Sequence, residues 1–196
     1  VPLIVFTTDT IMMGVCDMTL LGNSGVYTTV TNDAIRIKGT ISTVNRCNVH
    51  DVEIDNFMGM ALNIYNAQDN WFSNIQINNC GNLASTIPSV SLAGSISSID
   101  NNFINLTIHA APYRYIYLDQ YTNGNIFTTT KFDCLSNTTA EAGAYILGVH
   151  NVFNGGHSWT YKLPVFQLST ATAKNNVIQN WFALESHTDW GSCGVF

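Results

Sequence analysis

Only 13 of the 196 residues are acidic, so each carboxylate that could do chemistry can be weighed on its own. Two of them stand in the stretch V-E-I-D, residues 52–55. On a strand, Val52 and Ile54 face inward and Glu53 and Asp55 face outward together, about 6.6 Å apart along the backbone. Inverting glycosidases hold their two carboxyls ~6.5–9.5 Å apart, with room between them for the attacking water. Glu53 and Asp55 therefore suit a general acid and a general base. The alternative reading is two solvated acids on a strand.

Other residues could serve the same chemistry. His109 titrates near neutrality and can orient a sugar or shuttle a proton; it also reads as an exposed structural histidine. Aligned strands place it in one outward row with Asp55, Asn78 and Asp133, about 9.6 Å from Asp55. The neighbouring row runs Glu53, Gln76, Thr107, Lys131, His157. In R-Y-I-Y-L-D, residues 114–119, alternation puts Tyr115, Tyr117 and Asp119 on one outer face, with Tyr65 one or two coils away. Exposed aromatics beside an acid suit sugar stacking and suit a subunit interface equally. The candidate substrate-binding set is thus Tyr65, Tyr115, Tyr117, Asp119, Lys131 and Asp133.

The elements that must position these residues repeat. Asn70 begins N-W-F-S-N-I-Q-I, and related stretches begin at Cys47, Asn101, Asn125, Asn151 and Asn176. The starts are separated by 23, 31, 24, 26 and 25 residues, with a weaker copy at Asn23. Periods of 20–50 residues signal a solenoid. The fifth position of each copy holds Asp51, Asn74, Asn105, Thr129, Gly155 or Asn180. Asn, Asp and Gly enter the left-handed region most readily. One such residue bends the chain and shifts the alternation, so Phe72 and Ile75 can both point inward. Between the copies lie alternating strands: A-I-R-I-K at 34, A-L-N-I-Y at 61, S-V-S-L-A at 89, Y-I-Y-L-D at 115, V-F-Q-L-S at 165 and, more loosely, Y-I-L-G-V at 145. Period-two alternation marks half-buried strands.

Stacked coils of this kind predict an all-β, right-handed, single-stranded parallel β-helix of about six or seven coils. Its inner rows would be Ile35, Leu62, Val90, Ile116, Phe166 and Phe72, Phe103, Phe127, Phe153. The leading asparagines would stack as an amide ladder. Residues 1–22 read as a lead-in segment, 23–186 as coils, and 187–196 as an exit segment, with Trp181 and Trp190 at the start of a different element.

Charged residues make up 10% of the chain, against about 25% usually. Asn, Ser, Thr and Gln supply the polarity instead, which suits extended β structure and sugar contact. A net charge of −6 without a Lys/Arg cluster argues against nucleic acid. No run approaches the ~18 apolar residues of a membrane span, so no membrane insertion is expected. The first residues, V-P-L-I-V-F, lack a signal peptide's features. Five cysteines without a C-x-x-C pair read as buried free thiols, which favours assembly in a reducing cytoplasm. The sequons at Asn105 and Asn137 read as coincidence.

These corners and Asn stacks resemble the right-handed parallel β-helix, or pectin-lyase-like, superfamily over roughly residues 20 to 186. Polygalacturonases of that superfamily carry N-T-D, D-D, G-H-G and then R-I-K. Here Arg36-Ile37-Lys38 falls near the start, D-D is missing, and Gly155-Gly156-His157 is out of order. Arg36 and Lys38 therefore read as outward residues of a strand. A pectate-lyase calcium cluster is not visible either. What remains is most similar to a bacteriophage tailspike. That resemblance implies a virion-tail protein, assembled in the host cytoplasm as a parallel homotrimer. It would bind and cleave bacterial surface polysaccharide, capsule or O-antigen, by glycoside-hydrolase chemistry and without a metal or other cofactor. The alternatives are a non-catalytic glycan-binding fibre, a structural trimeric shaft, and a polysaccharide lyase that would use Lys131 or Arg114 against a uronic acid.

Overall fold

The structure, a computed structural model, describes residues 2–7, 13–22, 32–40, 42–133, 142–159, 164–169 and 171–184. Every regular element among them is a strand. Coil by coil these are β1 (Ile4–Thr7) and β2 (Gly14–Leu21); β3 (Ile35–Lys38), β4 (Val44–Asn45) and β5 (Asn48–Asp55); β6 (Leu62–Tyr65), β7 (Ala67–Gln68) and β8 (Trp71–Asn78); β9 (Val90–Ala93), β10 (Ser98–Ile99) and β11 (Asn102–His109); β12 (Arg114–Leu118), β13 (Thr122–Asn123) and β14 (Ile126–Asp133); β15 (Ala142–Ile146) and β16 (Val152–Trp159); β17 (Phe166–Leu168) and β18 (Val177–Leu184). They form three parallel sheets: two of seven strands and, between them, one of four. Each strand pairs only with its counterparts one coil away, which makes the molecule a parallel β-helix.

The long strands bend where the sequence predicts. Asp51, Asn74, Asn105, Thr129, Gly155 and Asn180 all have positive φ, between 51° and 69°. Asp17, at φ 53°, makes the same bend in β2. On either side of the bend Phe72 and Ile75 are both buried. Two more bends complete a coil, and they too fall mostly on Asn, Asp or Gly, outside the repeated stretches. One precedes each leading residue, at Arg46, Asp69, Asp100, Gly124, His150 and Asn175. The other follows the long strand at Asn56, Asn79 and Ala110.

Register follows the repeat. Phe72, Phe103, Phe127 and Phe153 stack with ring centroids 4.5 Å apart and planes within 7°. That spacing is close to the ~4.8 Å strand repeat that imposes it. Each ring contributes roughly 1.5–3 kcal/mol by burial, before entropy is set against it. The second row runs Ile35, Leu62, Val90, Ile116, Ala144, Phe166. Ala144 enters because β15 lies three residues earlier than the Y-I-L-G-V alternation suggests.

Asn70, Asn101, Asn125, Asn151 and Asn176 form the amide ladder. Each Nδ2 donates to the next Oδ1 at 2.8–3.1 Å. The backbone N–H of each residue donates to that same oxygen. A second bond from Nδ2 reaches a backbone carbonyl one coil back, such as Val44 O from Asn70 and Ala67 O from Asn101. Cys47 heads the ladder through its backbone N–H, 2.8 Å from Asn70 Oδ1. A buried polar row is tolerable because every donor and acceptor is met.

Several expectations need correction. The lead-in segment is already helix wall, since β1 pairs with β3 and β2 with β5. Trp181 does not begin a different element. It lies in β18, and its ring packs 4.8 Å from Phe166 and 5.2 Å from Phe132, over Gly156, where a Cβ would collide with it. Cys47 and Cys80 are buried thiols, pushed by desolvation to about 11 and about 12, but Cys16 is exposed. Asn23, Cys134, Asn137, Trp190, Cys193 and the exit segment 187–196 lie outside the described residues.

Candidate functional site

The outward residues beyond the bend form two rows on the long sheet. One row runs Thr19, Glu53, Gln76, Thr107, Lys131, His157, Phe182. The other runs Leu21, Asp55, Asn78, His109, Asp133, Trp159. Both are dictated by period-two alternation, because the partners Val52, Ile54, Ile75 and Ile77 must face the core. Glu53 and Asp55 thus point outward, each half-buried.

A hollow of ≈ 430 Å³ opens over the first three coils, lined by Asp17, Met18, Thr19, Asp51, Val52, Glu53, Asn74 and Gln76. It contains Glu53 but not Asp55, because Asp55 sits a strand position further from the bend. The bend residues bring in two carboxylates in its place, Asp17 and Asp51. Asp51 accepts from His50 Nδ1 at 2.7 Å and from Asn74 Nδ2 at 2.9 Å. Those two bonds, His50 first, hold its carboxyl below the usual range. Glu53 takes one bond, from Asn78 Nδ2 at 3.2 Å to Oε1, and its other oxygen has no protein partner among the described residues. One ionised acid therefore stands beside a second acid with an open oxygen, among amides and a hydroxyl.

A smaller hollow, ≈ 80 Å³, lies further along the same rows between Thr107, His109, Lys131, Asp133, His157 and Trp159. His109 turns away from Asp55 and pairs with Asp133, Nδ1 to Oδ2 at 3.0 Å. His157 is pushed toward its neutral form, first by burial and then by the neighbouring Lys131.

The proposed tyrosine platform is only partly assembled. Tyr115 is not on the outer face. It is 1% exposed, donates its hydroxyl to the Asp133 carbonyl at 3.0 Å, and meets Phe132 edge-on at 5.5 Å. Alternation fails there because Tyr115 and Ile116 both point inward at a corner between sheets. Asp119 is half-buried, and its oxygens are taken by the backbone N–H groups of Gly94 and Tyr121, both at 2.8 Å. Burial raises its carboxyl, and those bonds oppose the rise. It closes turns rather than facing a ligand. Tyr117 stays outward, stacked 6.0 Å from Tyr145, with the Arg114 guanidinium 4.0 Å from the Tyr145 ring. Tyr65 is also outward, two coils before Tyr117 and under the Lys38 ammonium.

Sequence reasoning missed Asp17, Asp51 and Trp159. The first two carried a signal, being acids at a bend, but a bend residue was read for its backbone alone. Among the described residues no group of three His, Cys, Asp or Glu side chains is placed to hold a metal ion. Searches of protein-family models, curated proteins and solved structures find no match to this chain.

Proposed function

We propose that this protein is a tailspike-type polysaccharide-binding solenoid that hydrolyses bacterial surface glycan at the acidic hollow. The observation that carries the reading is the joint lining of one hollow by Glu53, Asp51 and Asp17 with Thr19, Asn74 and Gln76. Hydroxyls and amides suit sugar hydroxyls, and carboxylates in unlike environments suit acid–base division of labour. Glu53 delivers its proton to the glycosidic oxygen as the C–O bond breaks. Asp51, kept ionised by His50 and Asn74, takes the proton of the water that attacks the anomeric carbon.

The test is release of reducing ends from capsule or O-antigen polysaccharide by the purified protein. Glu53→Gln and Asp51→Asn should each lose about 10²–10⁴-fold in turnover while remaining folded, the usual share of a general acid or base. Asp55→Asn should stay active. Turnover retained in both of the first two variants, or lost only in Asp55→Asn, would sink the assignment.

A second reading rests on a different part of the same sheet. Before the bend, Trp71, Ile104, Ile126 and Val177 face outward and are 39–52% exposed. These apolar side chains, spread over two outward rows with Asn102 between Trp71 and Ile126, suit contact between subunits of a trimeric fibre, and a monomeric native mass would remove that reading.

A further inference from the structure

Two Asn-Gly pairs occur in the chain, Asn123-Gly124 and Asn154-Gly155. With no side chain on the second residue, the glycine nitrogen reaches the asparagine amide carbon with least hindrance, so these are the places where the main chain most readily attacks its own side chain. Their surroundings differ. Asn123 ends β13, at the corner before Asn125 of the ladder, and is exposed. The coil on each side brings an ionisable group against the pair. From coil six, His150 Nδ1 lies 3.1 Å from Asn123 Oδ1. Asn175 Nδ2 donates to Nε2 of that ring at 3.1 Å, which leaves the ring proton on Nδ1, aimed at the amide oxygen. From coil four, Asp100 Oδ1 stands against Gly124, 2.5 Å from where a Cβ would be. The Asp100 backbone N–H holds the Asn123 carbonyl at 3.2 Å, and the Gly124 N–H makes a long bond of 3.3 Å to Val149 O. Asn154 is placed differently. Its Oδ1 accepts from Asn180 Nδ2 at 3.0 Å, and nothing lies within 4 Å of where a Cβ on Gly155 would be.

We propose that Asn123-Gly124 is a self-modifying site, at which the folded chain converts Asn123 to isoaspartate without an enzyme. The Gly124 nitrogen attacks Asn123 Cγ, and its proton passes to the Asp100 carboxylate. The oxyanion that forms on Oδ1 is met by the His150 N–H already placed there, as in an oxyanion hole. The Cγ–Nδ2 bond then breaks, and the amide leaves as ammonia, carrying the proton that Asp100 took up. Water opens the resulting succinimide at either carbonyl, giving aspartate or isoaspartate. Either product adds a carboxylate beside Asp100. Isoaspartate also adds a carbon to the main chain just before the ladder asparagine of coil five, so the joint between coils four and five loosens as the folded protein ages.

The purified full chain should be incubated at neutral pH, digested, and followed by peptide mass spectrometry for amide-to-acid conversion, with isoaspartate identified by isoaspartyl methyltransferase labelling. In the folded chain Asn123 should react about tenfold or more faster than Asn154, a small part of what positioned acid–base groups supply. In urea the two should react at similar rates. His150→Asn and Asp100→Asn keep a residue suited to the left-handed conformation at each bend. Each should bring Asn123 down toward the rate of Asn154 with an unchanged melting temperature. Asn154 of the same molecule is the internal reference, so a general loosening of a variant does not imitate this result. Conversion no faster at Asn123 than at Asn154 in the folded chain would overturn the site. So would a difference that persists in urea or in both variants.

Discussion

At Asn101, itself fully buried, the side chain makes four hydrogen bonds within the ladder. It donates to Ala67 O and Asn125 Oδ1, and it accepts from the backbone and side chain of Asn70. Asn101→Leu keeps the volume but strands these partners without water. A loss of about 3 kcal/mol or more in urea unfolding is expected, since each orphaned group costs about 1–3 kcal/mol. Asp119→Asn should also destabilise, because an amide can offer one oxygen where two backbone N–H groups now bind. His157 gives a pH effect with a definite sign. Its folded-state pKa is lowered, so the unfolded chain takes up the proton first as pH falls below the ordinary histidine value near 6.5. Its stability contribution is present above that value and is lost as pH falls through the folded-state pKa. Urea midpoints at pH 7.5 and 5.5 should therefore converge in His157→Gln relative to the parent chain. An unchanged gap would refute the shift.

At the scale of the strand, the bend decides which side chains reach the core and which reach the outward rows. Asn74→Ala forces a residue with little left-handed preference to φ 51° and breaks the bonds from Asn74 to Asp51 and from Asn105 to Asn74. A loss of ~1–2 kcal/mol is expected, with Asn74→Gly losing less; equal melts for the two would remove the backbone argument. Phe103→Ala, in the middle of the ring stack, should cost about 3–5 kcal/mol. The first bend was legible because Asn, Asp and Gly announce it at a repeated position, and the outward rows followed from alternation alone. The other two bends carry the same residue types at six of their nine positions, but these lie outside the stretches whose repetition drew the reading, and the remaining three carry no mark. Arg46, Ala110 and His150 hold positive φ because coil closure demands it, not because those residues favour it. Tyr115 was misplaced for a related reason, since alternation was carried through a corner that breaks it. Asp51 was placed correctly, but its conformation drew attention away from its carboxylate. The pairing of His109 with Asp133 rather than Asp55 follows from the row itself, where Asp133 is the next rung and Asn78 stands between His109 and Asp55.

Across the whole molecule, coils contact chiefly their neighbours, so stability is close to a sum of coil and interface terms. The four coils that carry all three strands, β3 to β14, hold most of the amide ladder and the ring stack. Hydrogen exchange should be slowest in β8, β11 and β14 and faster in β1 and β17. Uniform protection along the axis would instead mean a single cooperative unit.

The amide ladder hands each coil the same two donors that the previous coil received. That makes the full turn a genetic unit of insertion and deletion. Excising residues 101–124 would join Asp100 to Asn125, bringing Asn125 under Asn70 and Phe127 under Phe72 with every amide re-paired, since Asp100 and Gly124 hold equivalent left-handed positions. Excising a few residues more or fewer would leave the ladder out of phase. Lineages of such a chain can therefore change length in whole turns, and each lost turn would draw the acidic hollow and Lys131 nearer by about 4.8 Å. The reach of the outer face along the axis would evolve by counting coils.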